Sequence, residues 1–252
     1  MPKQKSFLRL HGGSLGETTF VKRDGKYTAK EKRADNPEKR GKSPQYARVR
    51  ENESEFGTAS TSGKILRKAI DPLLALASDN KLVPRLQGLI LKAIKKDPVS
   101  ERSKRHLSGS NLPLLLGFNF NKRACLRAVF HGRFSNRLDR ETGELTLTIP
   151  SFQPGSSIMA PKGTTHFQII SAGVAINFAD LNEHSVKEIL ESPIIELSSG
   201  YSVPVTAIHH VDPQTTMSLF LIMGLRFFQV VGDVMEPVKM NLMNPLCIVA
   251  VN

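Results

Sequence analysis

Histidine is the first residue type to consider for chemistry, because imidazole serves both as a general base and as a metal ligand. The chain contains His11, His106, His131, His166, His184, His209 and His210. No two of them are four residues apart, the spacing that places two imidazoles on one helix face. His209 and His210 would point to opposite faces of a strand, whereas His210 and Asp212 would share one. No nucleophile lies beside this last pair, so we interpret it as a structural hydrogen bond.

A second candidate is Gly57-Thr-Ala-Ser-Thr-Ser-Gly63-Lys64, which resembles a phosphate-binding loop. That loop has four residues between its glycines and a Ser or Thr after its lysine. Here five residues separate the glycines, Ile65 follows the lysine, and the segment falls inside a helical pattern. We therefore predict that it binds no nucleotide.

Cys125 and Cys247 are the only cysteines, and they form no CxxC motif. Both stand among apolar neighbours, which is typical of small buried side chains, so we expect neither a disulfide nor a thiolate metal site. With these candidates set aside, the sequence predicts a non-enzymatic protein. We expect no catalytic residue, cofactor or metal, and no small-molecule substrate is evident.

The formal net charge of +12 is spread unevenly along the chain. Residues 1–50 contain 14 Lys and Arg against 5 Asp and Glu, whereas residues 106–252 contain 10 against 11. This asymmetry favours a basic arm that faces nucleic acid or an acidic protein surface, and the alternative is a solvated tail. The candidate partner or nucleic-acid contacts are Lys22, Arg23, Lys26, Lys30, Lys32, Arg33, Lys39, Arg40, Lys42, Arg48 and Arg50.

Residues 17–30 are predicted to form a β-hairpin. Two β-prone runs flank Asp24-Gly25, a pair that favours a type I′ turn because both central residues have φ above zero. An isolated hairpin is marginal in water, so we expect it to dock on another surface. The glycine-rich residues 12–16 are expected to be a flexible lead, and the charged residues 30–43 a linker.

The next segment carries helical patterns. Ser43-Pro44 is typical of a helix start, but Gly57 and Gly63 interrupt the apolar pattern that follows, so we expect a kinked or split helix. Asp71-Pro72 predicts a second helix start. A third helix is predicted over residues 80–96, with apolar residues along one side and basic residues along the other.

From about residue 111 the chain contains short β-prone runs separated by turn residues, a spacing typical of an antiparallel sandwich or barrel. We predict strands over residues 124–133, 144–149, 165–178, 194–197, 202–211, 216–223, 226–231 and 246–251. Residues 141–144 and Gly224 are predicted to form hairpin turns, and residues 184–191 a short helix.

Together these elements predict an α+β protein. A basic N-terminal β-hairpin and helices would be followed by an antiparallel β-sandwich of Ig-like or jelly-roll-like type. The predicted domains are a basic arm with the β-hairpin at residues 1–43, a helical segment at 44–110 and an all-β sandwich domain at 111–252.

The N-terminal residues lack the apolar stretch of a secretory signal peptide. The longest apolar run, around residues 219–225, is too short to span a bilayer. We therefore expect a cytoplasmic protein without a membrane span, and export by another route stays open.

The stretch Arg48-Val-Arg-Glu-Asn-Glu-Ser-Glu-Phe-Gly57, followed by Gly63-Lys-Ile-Leu-Arg67, resembles an uncharacterised family of bacterial proteins from the Bacteroidota. That family also shares the Gly-rich hairpin lead, Gly117-Phe-Asn-Phe120 and Ala160-Pro-Lys-Gly-Thr-Thr-His-Phe167. The resemblance covers most of the chain and implies the same layout. The family has no established activity, so the resemblance assigns no site.

Two functions lead after these exclusions, and an enzyme would rest only on His210 and Asp212. The first is a structural protein, a subunit that self-assembles or docks into a filament, shell or other large assembly. Open sheet edges, the hairpin and the C-terminal strand at residues 246–251 would pair between copies, so the expected partner is the chain itself, as a homo-oligomer or polymer. The alternative is nucleic-acid binding through the basic arm and helix faces, including a capsid-like protein.

Overall fold

Contacts divide the computed structural model of the protein into two units, Met1–Arg50 and Glu51–Asn252. The structure describes residues 12–23, 25–31, 41–77, 79–178, 184–238 and 243–252. The helical residues from Glu51 onward share a unit with the strands that follow them. The division drawn from the sequence at residue 110 keeps these helices and strands apart.

The first unit contains a three-stranded antiparallel sheet in the order β1-β2-β3. Strand β1 spans Gly12–Leu15, β2 spans Thr18–Arg23 and β3 spans Lys26–Glu31. The predicted hairpin is present as β2 and β3, which pair as far as Arg23 and Lys26. Asp24 of the turn lies outside the described residues, and Gly25 has a φ of +73°.

The expectation of a flexible glycine-rich lead is wrong, because these residues form β1 and pair with β2. Gly16, with a φ of +56°, occupies the turn between the two strands. Glycine adopts this left-handed conformation without a steric penalty. Strand β1 forms because the edge of β2 offers it backbone hydrogen bonds. The composition of residues 12–16 alone does not predict this pairing.

Three helices open the second part of the chain. Helix α1 spans Ala47–Ala69, α2 spans Asp71–Leu76 and α3 spans Leu82–Ile94. The second start, predicted at Asp71-Pro72, is confirmed. The interruption predicted for the first helix is wrong, since α1 is continuous through both glycines. A Cβ on Gly63 would lie 3.5 Å from Ile90 Cδ1, an ordinary van der Waals contact, so α1 faces α3 at this glycine.

The remaining elements are mostly antiparallel strands. They are α4 Leu126–Val129, β4 Ser135–Asp139, β5 Glu144–Ile149, α5 Pro154–Ser157, β6 His166–Ile176, β7 His184–Glu191, β8 Ile195–Glu196, β9 Val205–His210, β10 Ser218–Val231, β11 Val234–Pro237 and β12 Leu246–Val251. The larger sheet has the order β11-β10-β6-β7, with β12 also on β10 and β8 also on β6. The smaller sheet has the order β4-β5-β9.

Three local predictions for this region are wrong. Residues 184–191, predicted as a helix, form β7, because β6 offers them a strand edge that outweighs their helical pattern. Residues 124–133, predicted as a strand, contain the short helix α4. Gly224 is no hairpin turn but lies inside β10, where a Cβ would approach the carbonyl oxygen of Pro245 to 2.7 Å. The hairpin turn predicted at 141–144 is confirmed between β4 and β5.

Strands β6 and β10 lie side by side in the larger sheet, and both are buried on both faces. On one face, alternate residues such as Val174 and Ile222 share a core with the helices. On the other face, residues such as Ile169 and Leu221 share a second core with the smaller sheet. The unit therefore has three layers, which are the helices, the larger sheet and the smaller sheet.

The α+β class with antiparallel sheets is confirmed, and one sheet curls into a half-barrel. The helical contribution to the first core includes Ile65, Leu66, Leu73, Leu86, Ile90 and Ile94. The contribution of the smaller sheet to the second core includes Leu145, Leu147, Ile149, Val205 and Ala207. Both cores draw on the same two central strands.

Arg85 of α3 holds the loop that leads from the helices into the strands. Its Nη1 donates to the carbonyl oxygen of Asn119 at 2.9 Å, and its Nη2 donates to that of Phe120 at 3.0 Å. The same Nη2 donates to Asp79 Oδ2 at 2.6 Å. The guanidinium also lies over the Phe118 ring, 5.1 Å from its centroid.

Asp79 completes this junction by accepting the backbone N–H groups of Lys81 and Lys122, both at 2.7 Å. Burial alone would raise the pKa of the Asp79 carboxyl. The two backbone hydrogen bonds and the Arg85 guanidinium outweigh that effect, so the pKa lies below its ordinary value. The ionised carboxylate is therefore the form that stabilises the junction.

Replacing Asp79 by Asn should lower the free energy of unfolding by about 2 kcal/mol at pH 7, the scale of a hydrogen bond to a charged group. The folded-state pKa is depressed, so this stabilisation is present above the unfolded pKa of about 3.9 and is lost as the pH falls through the folded value. Urea denaturation of both proteins from pH 7 to pH 3 measures the difference. It should be constant above about pH 5 and shrink below about pH 4. Exposed Asp233→Asn is the control, and a gap that does not change with pH would contradict the role of Asp79.

Replacing Gly173 by Ala should destabilise the second unit by about 1–3 kcal/mol, the usual cost of overpacking a core. A Cβ at Gly173 would lie 2.5 Å from His209 Cβ, which belongs to the smaller sheet. Chemical denaturation gives the free energy of unfolding. The matched control is Gly88→Ala on α3, where a Cβ meets nothing within 4 Å, and it should stabilise by about 1 kcal/mol. Equal effects of the two substitutions would refute the close approach of the sheets.

Candidate functional site

The N-terminal sheet is amphipathic, as its pairing register shows. Phe20 pairs with Ala29 and Lys22 pairs with Tyr27, and paired residues lie on the same face. Leu15 pairs with Thr18 and so falls on that face too. The Lys22 ammonium lies 5.2 Å from the centroid of the Tyr27 ring, a cation–π distance. This face therefore presents two aromatic rings and an exposed leucine.

The opposite face of the sheet is rich in hydroxyl and ammonium groups. Thr19 pairs with Lys30 on this face. The hydroxyls of Ser14 and Thr19 lie 3.2 Å apart, and Thr28 Oγ1 donates to the carbonyl oxygen of Val21 at 3.2 Å. Lys26 and Lys30 are both exposed. One face of the sheet thus carries most of its apolar side chains, together with Lys22, and the other carries Lys26 and Lys30.

None of the residues 12–22, 25–31 and 41–50 is buried. Leu15 is 73% exposed, and Phe20, Val21 and Tyr27 are only partly buried. Among the described strands, β1 and β3 each pair with β2 and with no further strand. As far as the described residues go, the sheet therefore has two open edges and no core of its own, and such small sheets need a surface to cover.

The structure distributes the eleven predicted contact residues over several places. Lys22, Lys26 and Lys30 lie on one hairpin, and Arg23 ends β2. Arg48 and Arg50 lie on α1, where Arg50 Nη1 donates to the carbonyl oxygen of Ser43 at 3.0 Å. Lys42 is exposed just before the helical turn at 44–46. The candidates outside the described residues are Lys32, Arg33, Lys39 and Arg40.

The C-terminal strand was expected to pair between copies, and that prediction is wrong. Strand β12 already pairs with β10, and most of its side chains are buried. Its outer edge is also occupied, because Phe120 N–H donates to the carbonyl oxygen of Leu246 and Ile248 N–H donates to that of Phe118. The C-terminal strand is therefore part of the folded sheet.

A different edge of the larger sheet is exposed, the hairpin of β10 and β11. Val231 is 55% exposed, Val234 is 59% exposed and Met235 is 40% exposed. Asp233 lies in the exposed turn, and Glu236 follows on β11. Among the described strands, β11 pairs with β10 alone. This hairpin combines a free backbone edge, apolar side chains and acidic side chains.

One buried polar pair escaped the sequence reasoning. Ser171 Oγ on β6 lies 3.0 Å from His209 Nε2 on β9, and both residues are buried. Ser171 lines a cavity of about 280 Å³ that is otherwise largely apolar. His210, which the sequence favoured, is exposed on the opposite side of β9 and pairs in register with Glu144. Residues 38 positions apart cannot be paired from sequence spacing alone.

Cys247 is buried, and burial raises the pKa of its thiol to about 12. It therefore stays protonated at neutral pH, and a protonated thiol is a poor nucleophile. Within the described ranges, no three His, Cys, Asp or Glu side chains come together in a way that could hold a metal ion. The helices that the structure describes include none long and apolar enough to cross a membrane.

No family model matches the chain, and neither a curated protein nor a solved structure matches it.

The absence of buried residues in the described part of the N-terminal sheet predicts weak protection of its backbone amides. In dilute protein, the amides of residues 12–31 should exchange with deuterium roughly 100-fold faster than those of β6 and β10. Hydrogen–deuterium exchange with mass spectrometry measures both regions in one sample, and strand β5, in which alternate residues are buried, is an internal reference. Protection of the N-terminal sheet equal to that of β6 would show that it has a stable core.

Proposed function

We propose that the protein is a non-enzymatic structural subunit that assembles with further copies of itself. The observation that carries this proposal is the N-terminal sheet, which is amphipathic and whose described residues leave two strand edges open. Covering its apolar face would remove Leu15, Phe20 and Tyr27 from water, and burial of such side chains drives most protein association.

The exposed hairpin of β10 and β11 is the proposed docking partner on the neighbouring copy. Strand β3 carries Lys26 and Lys30, whereas the hairpin carries Asp233 and Glu236. Opposite charges on two open strand edges favour their pairing and select its register. Backbone hydrogen bonds between the edges would supply affinity, and the apolar residues of both surfaces would pack around them.

This interface joins two different surfaces, so it is heterologous. Each copy offers one sheet and one hairpin, and repeated pairing builds a ring if the rotation closes and a filament if it does not. An assembly of this kind fits the filament or shell expected from the sequence.

Four further expectations from the sequence remain predictions. They are the Ig-like or jelly-roll-like type of the sandwich, the kinship with the Bacteroidota family, the cytoplasmic location and the alternative role of the basic arm in binding nucleic acid. The sheet supports assembly more directly than the alternative, because its apolar face needs a cover that nucleic acid phosphates do not provide.

Reversing the charges on either surface should weaken assembly. Lys26→Glu/Lys30→Glu places acidic residues against the acidic hairpin, and Asp233→Lys/Glu236→Lys places basic residues against the basic strand. Each double variant should raise the dissociation constant at least about 10-fold, because like charges across an interface repel. Light scattering after size exclusion and sedimentation velocity measure assembly at about 50 mM and about 500 mM salt, and high salt should reduce the charge effect.

A mixture of the two reversed variants is the decisive sample. Each variant then meets a complementary surface only on the other, so the mixture should form an alternating assembly more tightly than either variant assembles alone. Lys64→Glu/Lys68→Glu on α1 is the matched control and should assemble like the wild type. A wild-type protein that remains monomeric at about 100 μM, or a mixture that fails to assemble, would refute the proposed interface.

A further inference from the structure

A basic groove lies on the second unit, away from the residues that sequence reasoning selected. It has a volume of about 660 Å³ and lies where residues 116–117 and 126–136 meet β12. The groove residues that matter here are Arg127, His131, Arg133, Phe134 and Asn136. The described residues that line it include no carboxylate. The charged groups among them are therefore all positive.

The sequence around the groove is unusually basic for its surroundings. Residues 122–137 contain five Lys and Arg and no Asp or Glu, although residues 106–252 as a whole are close to neutral. Arg127 and Arg133 are exposed, and among the described residues neither side chain has a carboxylate partner or a hydrogen bond. Arg137, in contrast, is paired with Asp139 at 2.9 Å. Two cations of the groove are thus available to an anion.

The backbone of the groove is held in place from two sides. His131 N–H donates to the carbonyl oxygen of Ser157 at 2.8 Å. A Cβ at Gly132 would come within 2.5 Å of the Phe130 ring, so glycine is needed for the chain to turn there. Asn136 Nδ2 donates to the carbonyl oxygen of Val249 at 3.0 Å. The groove is therefore already formed before any ligand arrives.

Two ring side chains line the groove together with the cations. His131 is exposed, and Phe134 is partly buried, with its centroid 6.4 Å from that of Phe130. Proteins that bind single-stranded nucleic acid combine a positively charged groove with rings on which bases stack. A free phosphate would use the cations but not the rings. A duplex keeps its bases stacked inside and cannot use them either.

From this combination we infer that the groove binds single-stranded nucleic acid, with Arg127 and Arg133 on the phosphates and His131 and Phe134 against the bases. This site is independent of the proposed assembly, because it uses neither the N-terminal sheet nor the β10–β11 hairpin. It also differs from the basic arm, because it would contact the bases as well as the phosphates.

The test measures binding of a fluorescein-labelled oligothymidylate of about 12 nucleotides by anisotropy, from 50 to 300 mM salt, with the full chain. In single strands log K falls by about 0.7 per phosphate contact for each tenfold rise in salt. Arg127→Gln/Arg133→Gln should therefore flatten the slope by about 1.4. The affinity should fall about 60-fold at 50 mM salt and about 10-fold at 200 mM.

The matched control is Lys64→Gln/Lys68→Gln on α1, which removes the same charge and leaves the groove and the arm intact. It should bind like the wild type. If both variants bind like the wild type, the arm carries the binding and the inference is wrong. If both lose affinity equally, only net charge matters and the inference is also wrong.

A second variant tests the rings. His131→Ala should weaken binding of the oligothymidylate by about 5- to 150-fold, the range for loss of one stacked base, and should leave binding of heparin unchanged. Because the side chain is exposed, this substitution should leave the fold intact, and circular dichroism checks it. Equal affinity of the wild type for the single strand and for a duplex of the same length would overturn the assignment to single strands.

Discussion

The burial of β6 and β10 on both faces is the constraint on which the rest of the second unit depends. A strand with two apolar faces cannot remain at the surface, so a layer is required on each side. Helices α1–α3 cover one face and the smaller sheet covers the other. The positions of the helices, of β5 and β9, and of the loop held by Arg85 all follow from covering the same two strands.

Close packing on both faces of β6 and β10 also determines which positions require a glycine or a hydrogen-bonded polar side chain. Gly173 and Gly224 occupy the points at which the central strands approach His209 and the backbone of Pro245. Ser171 is polar on an otherwise apolar face, and its contact with His209 satisfies its hydroxyl. That pair lies between two sheets that pack tightly, so we assign it to the junction of the sheets rather than to catalysis.

How much of this could be read from the sequence depended on whether the signal was local. The hairpin of β2 and β3, the start of α2 and the turn between β4 and β5 were predictable, because each is specified by residues within a few positions. Strands β1 and β7 were missed because the edge of a neighbouring strand stabilises them. The groove joins residues 116–136 to β12, more than a hundred positions later, so its shape could not be predicted although its arginines are visible in the sequence.

The two units differ in how they cover their apolar strand surfaces. The second unit covers its apolar strands within the chain, so its surface is free to carry a basic groove. The described residues of the first unit leave an apolar face and two strand edges open. An exposed edge of this kind tends to pair with whatever strand it meets, unless a specific partner occupies it. In the assembly that we propose, charge provides the selection, since Lys26 and Lys30 favour an acidic edge and repel a basic one. The same basic residues that suggested nucleic acid in the sequence would then have a second role, which is to specify the strand that the sheet joins.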